Sequence, residues 1–432
     1  VMGLLSIYLL YYLVNLIFPK RQLGVVAALF LSLTPWHIHY SRAAFEVTTL
    51  MALVLLGAIA FINKKYILSS IFFCLTIYTY STAAVFTPLF VSLLFFTFRP
   101  TKIKDLVVPI IVAIFLITPF LFSLRNGESG SRFSSISIFS DQKVIDSIII
   151  ARTYPWIISD KFTVFLHNKP LAFARTIFDN GLKALSPNFL FVAGDPEPRH
   201  NPGFGLLPLV FLPLILLGLN RFLVLWLLLS VIPSSLTQGG GEHATRLFLM
   251  IPPLILLATL GFDKLKKSKY FPLFSLMIFI YMTVNTVYFF SLYTREYRYQ
   301  SARSWQYGYE QVFSALNSHL SNAPAVYINN SYEPSLLRFA LFTKLRPVIF
   351  RGLLNSDKVV DNFIDGFDGY KLGDNYYFGR AKDFIGFFPS LPEGSLFIVV
   401  QGQEVPGDWN WSVNPPSGIK TLYTVKDQFN QP

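Results

Sequence analysis

Ten apolar runs divide the first 292 positions, at approximately 1–18, 23–40, 43–62, 66–80, 83–98, 105–124, 204–219, 222–237, 247–262 and 271–292. Crossing about 30 Å of hydrocarbon takes roughly 17–25 residues of helix, so each run predicts a span. Several contain proline (Pro35, Pro88, Pro119, Pro213, Pro233, Pro252, Pro253). A bundle tolerates these where neighbours satisfy the backbone groups that proline frees.

Two stretches break the pattern. Residues 125–203 form a long polar loop with structure of its own. Val144, Ile145, Ile148 and Ile149 share one face of a helix predicted over 141–153. Pro170 opens a second helix, striped by Leu171, Phe173, Ala174, Ile177, Phe178 and Leu182. Both are expected to lie in the membrane interface. Residues 186–203 are rich in Pro and Gly and predict a fixed turn. Residues 293–432 lose the long apolar runs. Helices near 302–320 and 333–342 alternate there with strands near 325–328, 347–350, 396–400 and 421–425, which suggests a partly parallel sheet. The predicted fold is a polytopic α-helical membrane protein with a C-terminal extracytoplasmic α/β domain. Its domain boundary falls between 292 and 293.

Composition sharpens this. Charged residues make up 14% of the chain, against about 25% in ordinary soluble proteins. The net charge of +12 resides in residues 1–292, which hold 23 Lys/Arg against 11 Asp/Glu, whereas residues 293–432 hold 13 of each. Basic turns at 19–22, 63–65, 99–104, 220–221 and 263–269 carry 12 of those cations, while the turns at 41–46, 80–82 and 238–246 carry only Arg42 and Arg246. The positive-inside rule makes the first set cytoplasmic. The excess charge therefore reads as topology and lipid headgroups rather than nucleic acid. Loop 125–203 and the tail then face outward, as does Val1. An outward Val1 inside an apolar run leads us to expect at least one further span upstream. The single cysteine, Cys74, excludes an intrachain disulfide and a cysteine metal site.

Candidate chemistry collects in the outward turns. In Thr34-Pro-Trp-His-Ile-His-Tyr-Ser-Arg-Ala-Ala-Phe-Glu46, Arg42 and Glu46 stand four apart at the expected start of a helix, so they share one face. They read either as a local pair reaching the interface or as an anion-binding cation with its carboxylate. In Gln238-Gly-Gly-Gly-Glu-His-Ala-Thr-Arg246, the glycines would let backbone approach a ligand. His243 and Arg246 would project together at a helix start suited to an anion. His37 and His39 read as packing rather than half a metal site. Asp195 and Glu197 are a substrate or metal contact, or simply solvated. The sequence supplies no complete metal-ligand set, although a divalent metal stays open as a cofactor.

These pieces, with Gly194-Asp-Pro-Glu-Pro-Arg-His200 leading into Gly203-Phe-Gly205, resemble the GT-C superfamily of polyprenyl-phosphate-sugar glycosyltransferases. The nearest likeness is to the protein O-mannosyltransferases and the lipid A aminoarabinose transferases, and it covers most of residues 1–300. The resemblance implies a lipid-linked sugar donor and an acceptor hydroxyl on a glycan, lipid or protein. It also implies an Asp or Glu base in the first external loop. That loop would precede Val1, so the principal base is expected upstream of this sequence. By motif position Glu46 is an accessory carboxylate, where many relatives have Asp. Arg42 stands with it where the families place an accessory charged pair, while His243 and Arg246 fall at phosphate-binding places. Arg42 is expected to bind the lipid phosphate with them, and Asp195, Arg199 and His200 lie in the expected substrate loop. The expected setting is the plasma membrane of a prokaryotic cell envelope. A transporter or flippase of a lipid-linked glycan is the alternative. Charges at outer helix ends rather than at mid-span favour the enzyme. A non-catalytic membrane receptor or assembly factor acting through the tail is a third reading.

Overall fold

The computed structural model describes all residues except 20, 101, 127–134, 154–159, 321, 331–334, 357–366, 374, 382, 401–403, 406–409, 412 and 426–432. The chain divides into two units, Val1–Thr294 and Arg295–Pro432.

The first unit is helical. It begins with α1 (Met2–Ile17), α2 (Arg21–Ser32), α3 (Pro35–Arg42), α4 (Glu46–Ile62), α5 (Tyr66–Thr79), α6 (Ala83–Thr97) and α7 (Val107–Arg125). In the loop follow α8 (Gln142–Thr153), α9 (Asp160–Leu166) and α10 (Lys169–Ala184). The unit closes with α11 (Phe211–Leu217), α12 (Arg221–Ser235), α13 (Ile251–Leu265) and α14 (Phe271–Arg295). Among the described residues, three helical stretches are long and apolar enough to cross a membrane: Ile103–Arg125, Phe248–Leu265 and Phe271–Arg295. Within an apolar 18-residue window of each, 72% of the residues of the second are buried within the protein, none of the first and 11% of the third. An apolar helix that the protein leaves uncovered finds its favourable surroundings in lipid. Five further apolar helices, α1, α4, α5, α6 and α12, are shorter.

The run expected over 23–40 is broken. Helices α2 and α3 meet at 64°. Pro35 lacks an N–H and disfavours helical geometry in the residue before it, and Thr34 accordingly sits at φ −78°, ψ 118°. Side chains and distant backbone satisfy the opened ends. The Thr34 hydroxyl donates to Phe30 O at 2.7 Å, and Trp36 N donates to Leu206 O at 3.1 Å. The run expected over 204–219 is helical only at α11. Gly205 lies against the Phe191 carbonyl, where a Cβ would come within 2.3 Å, and Leu207 N donates to Leu190 O. The expected turn over 186–203 contains one π-helical turn, Asn188–Val192.

The core joins α1, α2, α4, α6, α12 and α13 around large buried rings, including Trp36, Tyr40, Phe86, Phe90, Phe189, Phe211, Trp226 and Phe248. Trp36 meets Phe189 and Phe248 edge-on at 6.3 and 6.0 Å. Glycine sets the closest approach. A Cβ on Gly218, just after α11, would lie 1.8 Å from Leu257 O, and one on Gly261 would lie 1.9 Å from Leu214 O. Small residues thus let the two backbones touch.

Helix α10 starts where expected. Asn168 caps it by accepting from Leu171 N. Its inner face is Asn180 and Ala184, whereas Leu171, Phe178 and Leu182 remain exposed.

The second unit carries a four-stranded sheet of order β2-β3-β1-β4: β1 (Val326–Asn329), β2 (Phe367–Leu372), β3 (Tyr376–Ala381) and β4 (Leu396–Ile398). β1 pairs in parallel with β3 and β4, and β2 with β3 antiparallel. Three sequence expectations change here. Residues 347–350 begin a helix, Pro347–Ser356, because proline fits a first helical turn. Residues 421–425 form no strand. The hairpin β2–β3 went unforeseen. Inside the unit, Glu404 is buried and accepts from Tyr327 Oη at 2.7 Å, Asn329 Nδ2 and Val400 N at 3.0 Å. Burial, then the neighbouring Glu404, pushes the Tyr327 hydroxyl well above the usual phenol range.

Overpacking a tight core typically costs about 1–3 kcal/mol, so Gly261→Leu is expected to lower the melting temperature of the detergent-solubilised protein by several degrees. Gly352→Ala, at an exposed helical glycine with open space around its Cα, is expected to be neutral or stabilising by up to about 1 kcal/mol. Equal losses in both variants would discount the helix contact.

Candidate functional site

Three polar turns of the first unit meet. They are the α3–α4 corner, the 193–203 turn and the glycine turn 237–247. Apolar helices end at each, so their open backbone groups must find partners locally.

The corner turns on Ala44, at φ +56°. Arg42 closes α3 and Glu46 opens α4. The two do not share one helical face as expected, and no ion pair joins them among the described residues. Both are exposed. The Arg42 guanidinium lies over the Tyr293 ring at 5.1 Å.

His37 and His39 are held by protein partners. Ser6 Oγ donates to Gly3 O, so His37 Nε2 donates to Ser6 Oγ at 3.0 Å. His39 Nε2 donates to Arg199 O at 2.8 Å, which leaves Nδ1 to accept from Tyr293 Oη at 3.2 Å. His39 thereby joins the corner, the 193–203 turn and the end of α14. Tyr40 Oη meets Thr245 Oγ1 at 2.9 Å, tying the corner to the glycine turn.

Asp195 is the hub of the second turn. It is 6% exposed. Its Oδ1 accepts from Glu197 N at 2.8 Å, and its Oδ2 accepts from Ala244 N at 2.6 Å, across to the glycine turn. His200 Nδ1 lies 3.2 Å from Oδ2. Asn201, also buried, donates to Ala193 O and Asp195 O and accepts from Phe204 N. Gly194 needs its left-handed φ of +73° to start this turn. Arg199 joins through its carbonyl, and Glu197 is exposed.

In the glycine turn, His243 and Arg246 diverge rather than project together. The segment before α13 is a series of turns and a short 3-10 helix, so a spacing of three does not align the side chains. Arg246 Nη1 turns back, donating to Thr237 Oγ1 at 2.7 Å and Gln238 O at 2.9 Å. His243 faces the second turn, its ring 4.7 Å from that of His200. Its Nδ1 is buried with no hydrogen-bond partner among the described residues. Burial, then the charge of Arg246 and His200, holds its pKa down at about 3, against the pull of Asp195. The imidazole is therefore neutral at ordinary pH. Two of the three glycines serve packing rather than ligand approach. A Cβ on Gly240 would strike Ser234 O, and one on Gly241 the Asn180 backbone. Gly239 alone faces open space, at φ +62°. Asn180 of α10 donates to Ser235 O and Thr237 O, both at 3.1 Å, closing the end of α12.

Of the site residues expected from sequence, Asp195, His200 and His243 come together, their potential ligand atoms within 4.8 Å of one another. Arg42 borders them through Tyr293 and His39. Arg246 secures the turn, and Glu46 stands at the start of α4. Sequence reasoning passed over Tyr40, Asn180, Asn201, Thr237, Thr245 and Tyr293. Tyr293 carried a readable signal, as a polar tip near the end of a largely apolar helix. Chemically the site offers a carboxylate, two imidazoles and an exposed guanidinium at the ends of apolar helices. A scan against protein-family models returns no match, and comparisons with curated proteins and with solved structures return none either.

Asn201→Ala would orphan buried groups at about 1–3 kcal/mol, and is expected to lower the denaturation midpoint clearly. Arg42→Ala, at an exposed position, is expected to cost under about 1 kcal/mol. A large loss from Arg42→Ala would make that residue structural.

Proposed function

We propose that the chain is an integral membrane glycosyltransferase. It moves a sugar from a polyprenyl-phosphate donor to an acceptor hydroxyl on the outer face of the membrane, with inversion. The observation that carries this reading is the meeting of three polar turns, with Arg42, Asp195, His200 and His243, where apolar helices end. The resemblance of those same turns to the GT-C families supplies the reaction class.

In this reading the apolar helices make about ten spans, the short ones crossing within the bundle. Loop 125–203 and residues 293–432 are extracytoplasmic, and the membrane is the plasma membrane. Exposed Leu171, Phe178 and Leu182 of α10 suit the interface or the polyprenyl chain. The acceptor oxygen attacks the anomeric carbon as the bond to the phosphate oxygen breaks, and the phosphate leaves with the electron pair. Arg42 answers the charge that grows on the phosphate, since a charge-assisted hydrogen bond is stronger than a neutral one. A carboxylate takes the hydroxyl proton, with Glu46 in an accessory part. Arg246 acts by fixing the turn that presents His243.

The test is sugar transfer from radiolabelled polyprenyl-phosphate donors in membranes carrying the full-length protein. We expect Arg42→Ala to lower transfer at least about 10-fold, the loss of roughly one charged hydrogen bond. Undiminished transfer would remove Arg42 from the phosphate site. Absence of transfer with every donor, accompanied by movement of a glycan lipid across the bilayer, would establish the transporter instead.

A further inference from the structure

The Asp195–His200–His243 cluster is more specific than a polar lining. A ligand atom in a zinc-type site lies about 2.0–2.1 Å from the ion, so tetrahedral neighbours stand about 3.3 Å apart. Asp195 Oδ2 and His200 Nδ1 are separated by 3.2 Å, the length of such an edge. The third donor is in reach, since all three groups' ligand atoms lie within 4.8 Å.

Two further features fit ligation. His243 Nδ1 is a buried nitrogen without a hydrogen-bond partner among the described residues, and with the ring proton on Nε2 it is an acceptor. Leaving such an atom unsatisfied is costly, and a cation would satisfy it. The carboxylate is already oriented, with Ala244 N on Oδ2 and Glu197 N on Oδ1. Outer hydrogen bonds of this kind fix metal ligands in place.

We infer that Asp195, His200 and His243 form a three-ligand site for a divalent transition cation of the zinc type. One carboxylate and two imidazoles suit that class of ion better than magnesium or calcium. Three protein ligands leave one position open, as in metal sites that take a substrate oxygen. A phosphate oxygen of the donor would occupy it. This last step rests on the transferase reading, whereas the cation site does not.

The experiment uses the full chain, carrying a purification tag without histidine, in detergent after chelator stripping. Cobalt(II) is titrated by its visible absorption, and bound zinc is counted by elemental analysis. We expect one ion per chain and binding at least about 10-fold weaker in His243→Gln, an effect on the scale of lost ligand support. His243→Gln leaves the Asp195 hydrogen bonds intact, and Asp195→Asn serves as second variant should the first not fold. Circular dichroism and melting confirm the fold of each. Absence of saturable cobalt or zinc binding to the wild-type chain would overturn the site, as would equal binding by a folded variant. Stoichiometric binding without sugar transfer would leave the cation site standing and remove the transferase. Transfer by a stripped, metal-free protein would leave the transferase standing and remove the cation from its reaction.

Discussion

Every peptide group buried among apolar side chains needs a hydrogen-bond partner, and this one constraint organises the first unit. Regular helix meets it automatically, whereas each break exposes groups that something else must satisfy. At Pro35 the Thr34 hydroxyl and the Leu206 carbonyl do so. At the end of α12, Asn180 takes two carbonyls and Arg246 a third. At the 193–203 turn, Asp195 and Asn201 close the backbone from both sides. The polar side chains are concentrated where the helices stop because the helices stop there. The candidate chemistry is built from the same positions, so function and backbone repair share residues.

That overlap explains why the charged residues have unequal roles. Arg42 and Arg246 look equivalent in sequence, each a lone cation in a turn between apolar runs. Arg246 is committed to its own turn through Thr237 and Gln238, while Arg42 lies exposed over Tyr293. His39 and His243 differ in the same way. The first has partners on both ring nitrogens, and the second has a buried nitrogen left over.

The helices of the first unit were readable because apolar runs between basic turns leave little choice of structure, as at α4, α7 and α14. The start of α10 was equally local, marked by Pro170. The break at Pro35 was not foreseen, since proline is also tolerated within spans, and only the Leu206 carbonyl decides between the two. In the second unit, 347–350 was read as a strand because a short apolar run is ambiguous in period, whereas Pro347 opens a helix there. The β2–β3 hairpin had a visible turn signal in Gly373 and Asn375. In the site, the grouping of Asp195, His200 and His243 was hidden because it depends on Ala244 N reaching Asp195 across the fold. The four-residue spacing of Arg42 and Glu46 misled because it assumes a continuous helix, which Ala44 interrupts.

The hydrogen bonds that assemble the site span most of the first unit. His39 reaches Arg199 across 160 positions, Tyr40 reaches Thr245 across 205, and His39 reaches Tyr293 across 254. Contacts so distant in sequence form late. During synthesis the α3–α4 corner enters its surroundings long before Asp195, Thr245 or Tyr293 has been made. The polar grouping is thus complete only once the last helix of the unit is in place, and a prematurely ended chain would carry His39 without the Tyr293 hydroxyl that helps to orient it.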